Sequence, residues 1–77
     1  MRQLFGTIIH GKTGRELCET TAFVREPNKR EWRYAPASVM QTEGSIHPVC
    51  KAICRHYITL NGFWFRVWED VRDSGQC

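Results

Sequence analysis

The string Gly6-Thr7-Ile8-Ile9-His10-Gly11-Lys12-Thr13 matches G-x-x-x-x-G-K-[ST], the phosphate-cradling loop of nucleotide-binding proteins. That chemistry needs a strand before the first glycine, a supple run of backbone N–H groups, and a helix starting at the lysine. Here only five residues precede Gly6, the β-branched pair Ile8-Ile9 stiffens the middle, and Gly14 stands where the helix would start. A hairpin turn explains each departure, so the string is expected to be a turn. A metal centre would draw on His47, Cys50, Cys54 and His56, of which the first three fall at i, i+3 and i+7 of a possible helix. Zinc takes four nitrogen or sulfur ligands, typically in close pairs, and no C-x-x-C pair is present. Cys50 and Cys54 are in register with Val49 and Ile53, as small apolar residues would be, so neither a metal nor another cofactor is expected. Nucleophilic catalysis would need a thiolate beside a base, and neither Cys18 nor Cys77 has one nearby in sequence. Glu69 and Asp70 are adjacent and would point to opposite sides of a strand, which leaves no acid–base pair. The chain reads as non-catalytic, with no small-molecule substrate.

The residues that remain are suited to binding. Trp64, Arg66 and Trp68 alternate with Phe63, Phe65 and Val67, so the first three share one face of a strand and the second three the other. Trp32 and Tyr34 alternate in the same way. Aromatic and arginine side chains dominate binding hot spots, and aromatic rings also stack single-stranded bases. Lys51 and Arg55 follow His47 at i+4 and i+8, a basic stripe if the segment is helical, and Lys12 and Arg15 flank the turn.

These side chains must be held by few elements. The chain has 77 residues, enough for one small domain (1–77) of marginal stability, with residues 70–77 expected as a mobile tail. Two β-favouring runs, Leu4 to Ile9 and Glu16 to Arg25, surround the Gly-containing turn and predict a β-hairpin. Glu26-Pro27-Asn28-Lys29 is a turn signal, Arg30 to Tyr34 a third strand, and 37–42 a short helical turn stopped by Gly44. Ile46, Val49, Cys50, Ile53, Cys54 and Tyr57 recur at helical spacing and predict the main amphipathic helix, with Pro48 at its first turn. Asn61-Gly62 then turns into a closing strand from Phe63 to Glu69. The expected fold is α+β: an antiparallel sheet of three to four strands packed by its Phe63, Phe65 and Val67 face against one helix.

The charge is +3, from eleven basic and eight acidic residues, and eight of the eleven are arginine, the side chain that grips phosphate or carboxylate bidentately. Seven basic and four acidic residues lie in 1–35, against two and three in 60–77. No apolar run is long enough to cross a bilayer, and Met1 to Gly6 carries no apolar leader core, so a cytoplasmic location with four free thiols is expected.

The run from Ser45 through Asn61-Gly62-Phe63-Trp64-Phe65 resembles the ending of small DNA-binding modules attached to phage mobile endonucleases. In size and composition the chain is also similar to phage accessory proteins such as anti-CRISPR and other anti-defence inhibitors. That likeness implies a binder that occupies a host nucleoprotein surface. Two functions are therefore expected to compete. One is a nucleic-acid or nucleoprotein binder using basic and aromatic residues. The other is an inhibitor or adaptor anchored on a host protein by Trp64, Trp68 and Trp32. A homodimer is compatible with both.

Overall fold

Two β-favouring runs joined by a short glycine-bearing turn satisfy their backbone groups by folding back on each other. In the computed structural model, which describes residues 1–69, they do so as β1 (Arg2–Ile9) and β2 (Glu16–Arg25), antiparallel from Arg2↔Val24 to Ile9↔Glu16. The turn is closed by the His10 N–H on the Arg15 carbonyl and the Gly14 N–H on the His10 carbonyl, both at 2.8 Å. Gly14 has φ +72°, and a Cβ there would stand 2.5 Å from the Ser38 side chain, so this position needs glycine for conformation and for space. The nucleotide-loop string is thus a strand and a turn, as expected.

The segment after β2 departs from the expected third strand. Lys29–Arg33 is a helix, α1, followed by α2 (Ala37–Thr42). The cause is a capping box: the Glu31 N–H donates to Asn28 Oδ1 (2.8 Å), and the Asn28 N–H donates to Glu31 Oε1 (2.9 Å). Reciprocal capping satisfies two otherwise orphaned N–H groups and outweighs the alternation of Trp32 and Tyr34. α2 coincides with the expected helical turn at 37–42.

The expected main helix is also absent. Ile53–Thr59 is a strand, β3, and Pro48 to Cys50 is a turn, followed by Lys51 at a left-handed φ of 62°. Residues 53–59 are rich in β-branched and aromatic side chains, and their apolar positions fit period 2 as well as the helical spacing. Pairing with a neighbouring strand decides between the two. β3 pairs with β4 (Trp64–Glu69) from Ile53↔Glu69 to Ile58↔Trp64, through the Asn61-Gly62 turn, where Gly62 has φ +86°. The other edge of β3 is covered by residues 44–47, through Gly44 N–H to Cys54 O (2.7 Å), Cys54 N–H to Ser45 O (2.8 Å) and His47 N–H to Ala52 O (2.8 Å).

The two hairpins join at two short seams. Val24 and Arg25 pair with Thr59 and Ile58, and Thr7, Ile8 and Ile9 pair with Arg66, Phe65 and Trp64. The four strands thereby close into a small barrel. At the second seam, a Cβ on Gly6 would run into the Arg66 carbonyl oxygen and stand 2.7 Å from the Phe65 ring. The first glycine of the string is there to let β4 approach.

Register gives β4 two buried faces. Phe65 and Val67 point inward with Val24 and Tyr57, flanked by Leu4, Ile8 and Ala22. Phe63, by contrast, lies outside the core and is exposed. On the outer side, Ile9, Trp64 and Ile58 form one row across β1, β4 and β3, while Thr7, Arg66 and His56 form the next. The segment carrying α1 and α2 lies over these rows: Val39 is fully buried, and Trp32 packs on Trp64 with ring centroids 5.7 Å apart. Short helices on one face of a four-stranded antiparallel barrel thus replace the single amphipathic helix. The expected tail at 70–77 falls outside the described residues.

Candidate nucleic-acid interface

The capping box fixes where α1 begins and hence where its cations point. Starting the helix at Lys29 puts Lys29 and Arg33 one turn apart on one side, with Arg30 about 100° around from Lys29. Trp32 is turned inward and anchors the helix on Trp64 in a tilted contact (52° between ring planes). Tyr34 caps the C-terminal end and is 74% exposed. Lys29, Arg30, Arg33 and Tyr34 line one hollow of about 490 Å³. Among the described residues none of the three cations has an ion-pair partner. The one acid of the helix, Glu31, is occupied by Arg25, whose two terminal nitrogens each donate to it at 2.7 Å. That bond, then the Asn28 N–H, holds the Glu31 carboxyl down at about 2. The outer side of α1 therefore carries unmatched positive charge around an open ring.

The β1–β2 turn docks on the segment that follows α1. A Cβ on Gly11 would lie 3.8 Å from the Pro36 ring, and Gly14 abuts Ser38. Lys12 and Arg15, both exposed, are thereby brought beside the chain that leaves Tyr34. Lys12 and Arg15 thus lie on a turn docked against Pro36 and Ser38, while Lys29, Arg30, Arg33 and Tyr34 share the hollow on α1.

The other expected binding residues are placed elsewhere. Trp64, Arg66 and Trp68 do share a face, but only Trp68 is largely open, at 47% exposed, with its ring edge-on to His47 at 5.6 Å. Arg66 lies beneath α2, where its Nε–H donates to His56 Nε2 (3.1 Å) and its terminal nitrogen to Thr42 Oγ1 (3.3 Å). His56 meets Glu43 through Nδ1 at 2.8 Å, and Arg55 donates to the other oxygen of Glu43 at 2.9 Å. This chain of polar groups pins α2 and the loop after it to the barrel. His47, Lys51 and Arg55 form no basic stripe, because the helix that would align them is a turn and a strand.

Cys50 is disulfide-bonded, which corrects the expectation of a free thiol there; Cys18 and Cys54 are free. Burial pushes the Cys54 thiol up from its ordinary value, so it stays protonated at neutral pH. Among the described residues no three His, Cys, Asp or Glu side chains are grouped to hold a metal ion. None of the described helices is long and apolar enough to cross a membrane.

Lys29, Arg30 and Arg33 are not among the binding residues expected from sequence, because Lys29 falls in a turn signal and 30–34 alternates like a strand. The signal that marks them is the Asn28-x-x-Glu31 spacing, which turns a mixed run into a helix with a basic outer side. Comparison of the chain with protein-family models, with curated proteins and with solved structures gives no match in any of the three.

Proposed function

We propose that this protein is a non-catalytic binder of single-stranded nucleic acid or of a nucleoprotein that exposes it, acting through α1 and the β1–β2 turn. The observation that carries this reading is the hollow of Lys29, Arg30, Arg33 and Tyr34, with three unmatched cations around one open ring. Cations bind phosphate by releasing its counterions, and an exposed tyrosine offers a stacking face that any base can use. Lys12 and Arg15 extend the track. Affinity from so few contacts is about 10⁻⁴–10⁻⁶ M near physiological salt, the range of non-specific binding.

Anisotropy titrations with a labelled single strand and the matching duplex test this. The single strand binds at low salt and is released as salt rises. Tyr34→Ala weakens the single strand by about 1–3 kcal/mol, the value of one stacked base, and the duplex by less. Equal loss on both substrates would remove the stacking role, and salt-independent binding would remove the phosphate role.

The second reading, a phage-type inhibitor anchored on a host protein by tryptophans, draws on Trp68 alone. Trp32 and Trp64 are packed against each other. Such binding would tolerate salt and survive neutralisation of α1.

A further inference from the structure

The ladder between β1 and β4 stops at Thr7↔Arg66. Beside its end, with Gly6 still against the Arg66 carbonyl, lies a cleft of about 530 Å³ lined by Phe5, Gly6, Thr7, Glu19, Arg66 and Trp68. Continuing the register two residues past that pair would set Phe5 opposite Trp68, so two rings form the walls where backbone pairing is lost. Both rings are open to solvent, Phe5 at 61% and Trp68 at 47% exposed, and His47 braces the Trp68 ring from its edge.

The charges at this cleft do not cancel. Arg66 is committed to His56 and Thr42 and faces Glu16 at 4.0 Å. Glu19 has no cationic partner among the described residues. Two aromatic faces and one unmatched carboxylate suit a cation: rings attract a guanidinium within about 6 Å, and a carboxylate can take it bidentately. The same carboxylate repels phosphate, which separates this cleft from the side of α1.

We propose that this cleft binds an arginine side chain of a basic protein segment, with Phe5 and Trp68 as walls and Glu19 as counter-charge. The test is an NMR titration of the whole chain with a short, end-capped Gly/Ser peptide bearing one arginine, beside the same peptide bearing citrulline, which is neutral and nearly isosteric. The arginine peptide should saturably shift the Trp68 indole and the Thr7 and Glu19 amides, and bind about tenfold more tightly than the citrulline peptide, as loss of a charge-assisted bond requires. Glu19→Gln should abolish that preference, and Trp68→Ala should weaken both peptides. Both substituted side chains are exposed, and unchanged Phe65 and Val67 signals verify the fold in each variant. Equal binding of the two peptides, a preference that survives Glu19→Gln, shifts that map elsewhere, or sedimentation showing a second copy over the cleft would each overturn the proposal. Oligonucleotide binding through α1 is measured separately, so failure of one site leaves the other standing.

Discussion

His56 is buried between a carboxylate and a guanidinium, and its two bonds define its state. The Arg66 Nε–H points at Nε2, which must therefore hold a lone pair, and the ring proton sits on Nδ1 facing Glu43. Protonation would set one N–H against another beside a second cation. Burial is the largest cause holding its pKa below the ordinary 6.5; the Glu43 hydrogen bond opposes this, and the Arg66 charge adds to it. As pH falls, the unfolded chain takes this proton first, so the stability is whole above about pH 6.5 and is lost progressively below it. Chemical denaturation across pH 7 to 5 should show this acid limb, and His56→Gln should flatten it. The Glu31 contribution belongs to a lower window: it is present above the ordinary 4.5 and lost as pH falls toward about 2, so the two steps are separable. Ser38 makes the opposite kind of prediction. Its Oγ is buried without a hydrogen-bond partner among the described residues, so Ser38→Ala should stabilise the fold, by up to about 1 kcal/mol, and a loss of stability would show that the hydroxyl is satisfied.

Among the elements, the first hairpin, the helical turn at 37–42 and the Asn61-Gly62 turn were legible because local rules act alone there: glycine geometry, β-branched runs, a stop at Gly44. The two errors arose where two local rules competed. Arg30 to Tyr34 alternates like a strand, yet Asn28 and Glu31 cap a helix. Ile46 to Tyr57 has helical spacing, yet its second half also has strand composition, and pairing with β4 on one edge and residues 44–47 on the other decides for β3. The capping box can be tested directly. Asn28→Ala should cost about 1 kcal/mol in stability, and it should weaken nucleic-acid binding by loosening the helix that presents Lys29, Arg30 and Arg33. An unchanged affinity beside a measured loss of stability would show that helical order at α1 is not what positions the cations.

Over the whole molecule, a barrel buried on both faces of β4 explains why a chain with three tryptophans leaves only one of them largely open. The site was only partly legible for the same reason. Tyr34 follows from its alternation with Trp32, and Lys12 and Arg15 from their place at the turn, whereas the docking of that turn at Pro36 and Ser38 is a long-range contact that no local pattern encodes. Two surfaces of opposite electrostatic character result, a cationic one on α1 and a carboxylate-bearing cleft between β1 and β4. The central claim is that the α1 cations contact phosphate. It is tested most directly by the salt dependence of single-strand affinity for the native chain and for Arg30→Ala/Arg33→Ala. Each phosphate contact adds about 0.7 to the slope of log affinity against log salt, so the double variant should bind more weakly with a slope shallower by about 1.4. An unchanged slope, or no binding by the native chain at low salt, would contradict it.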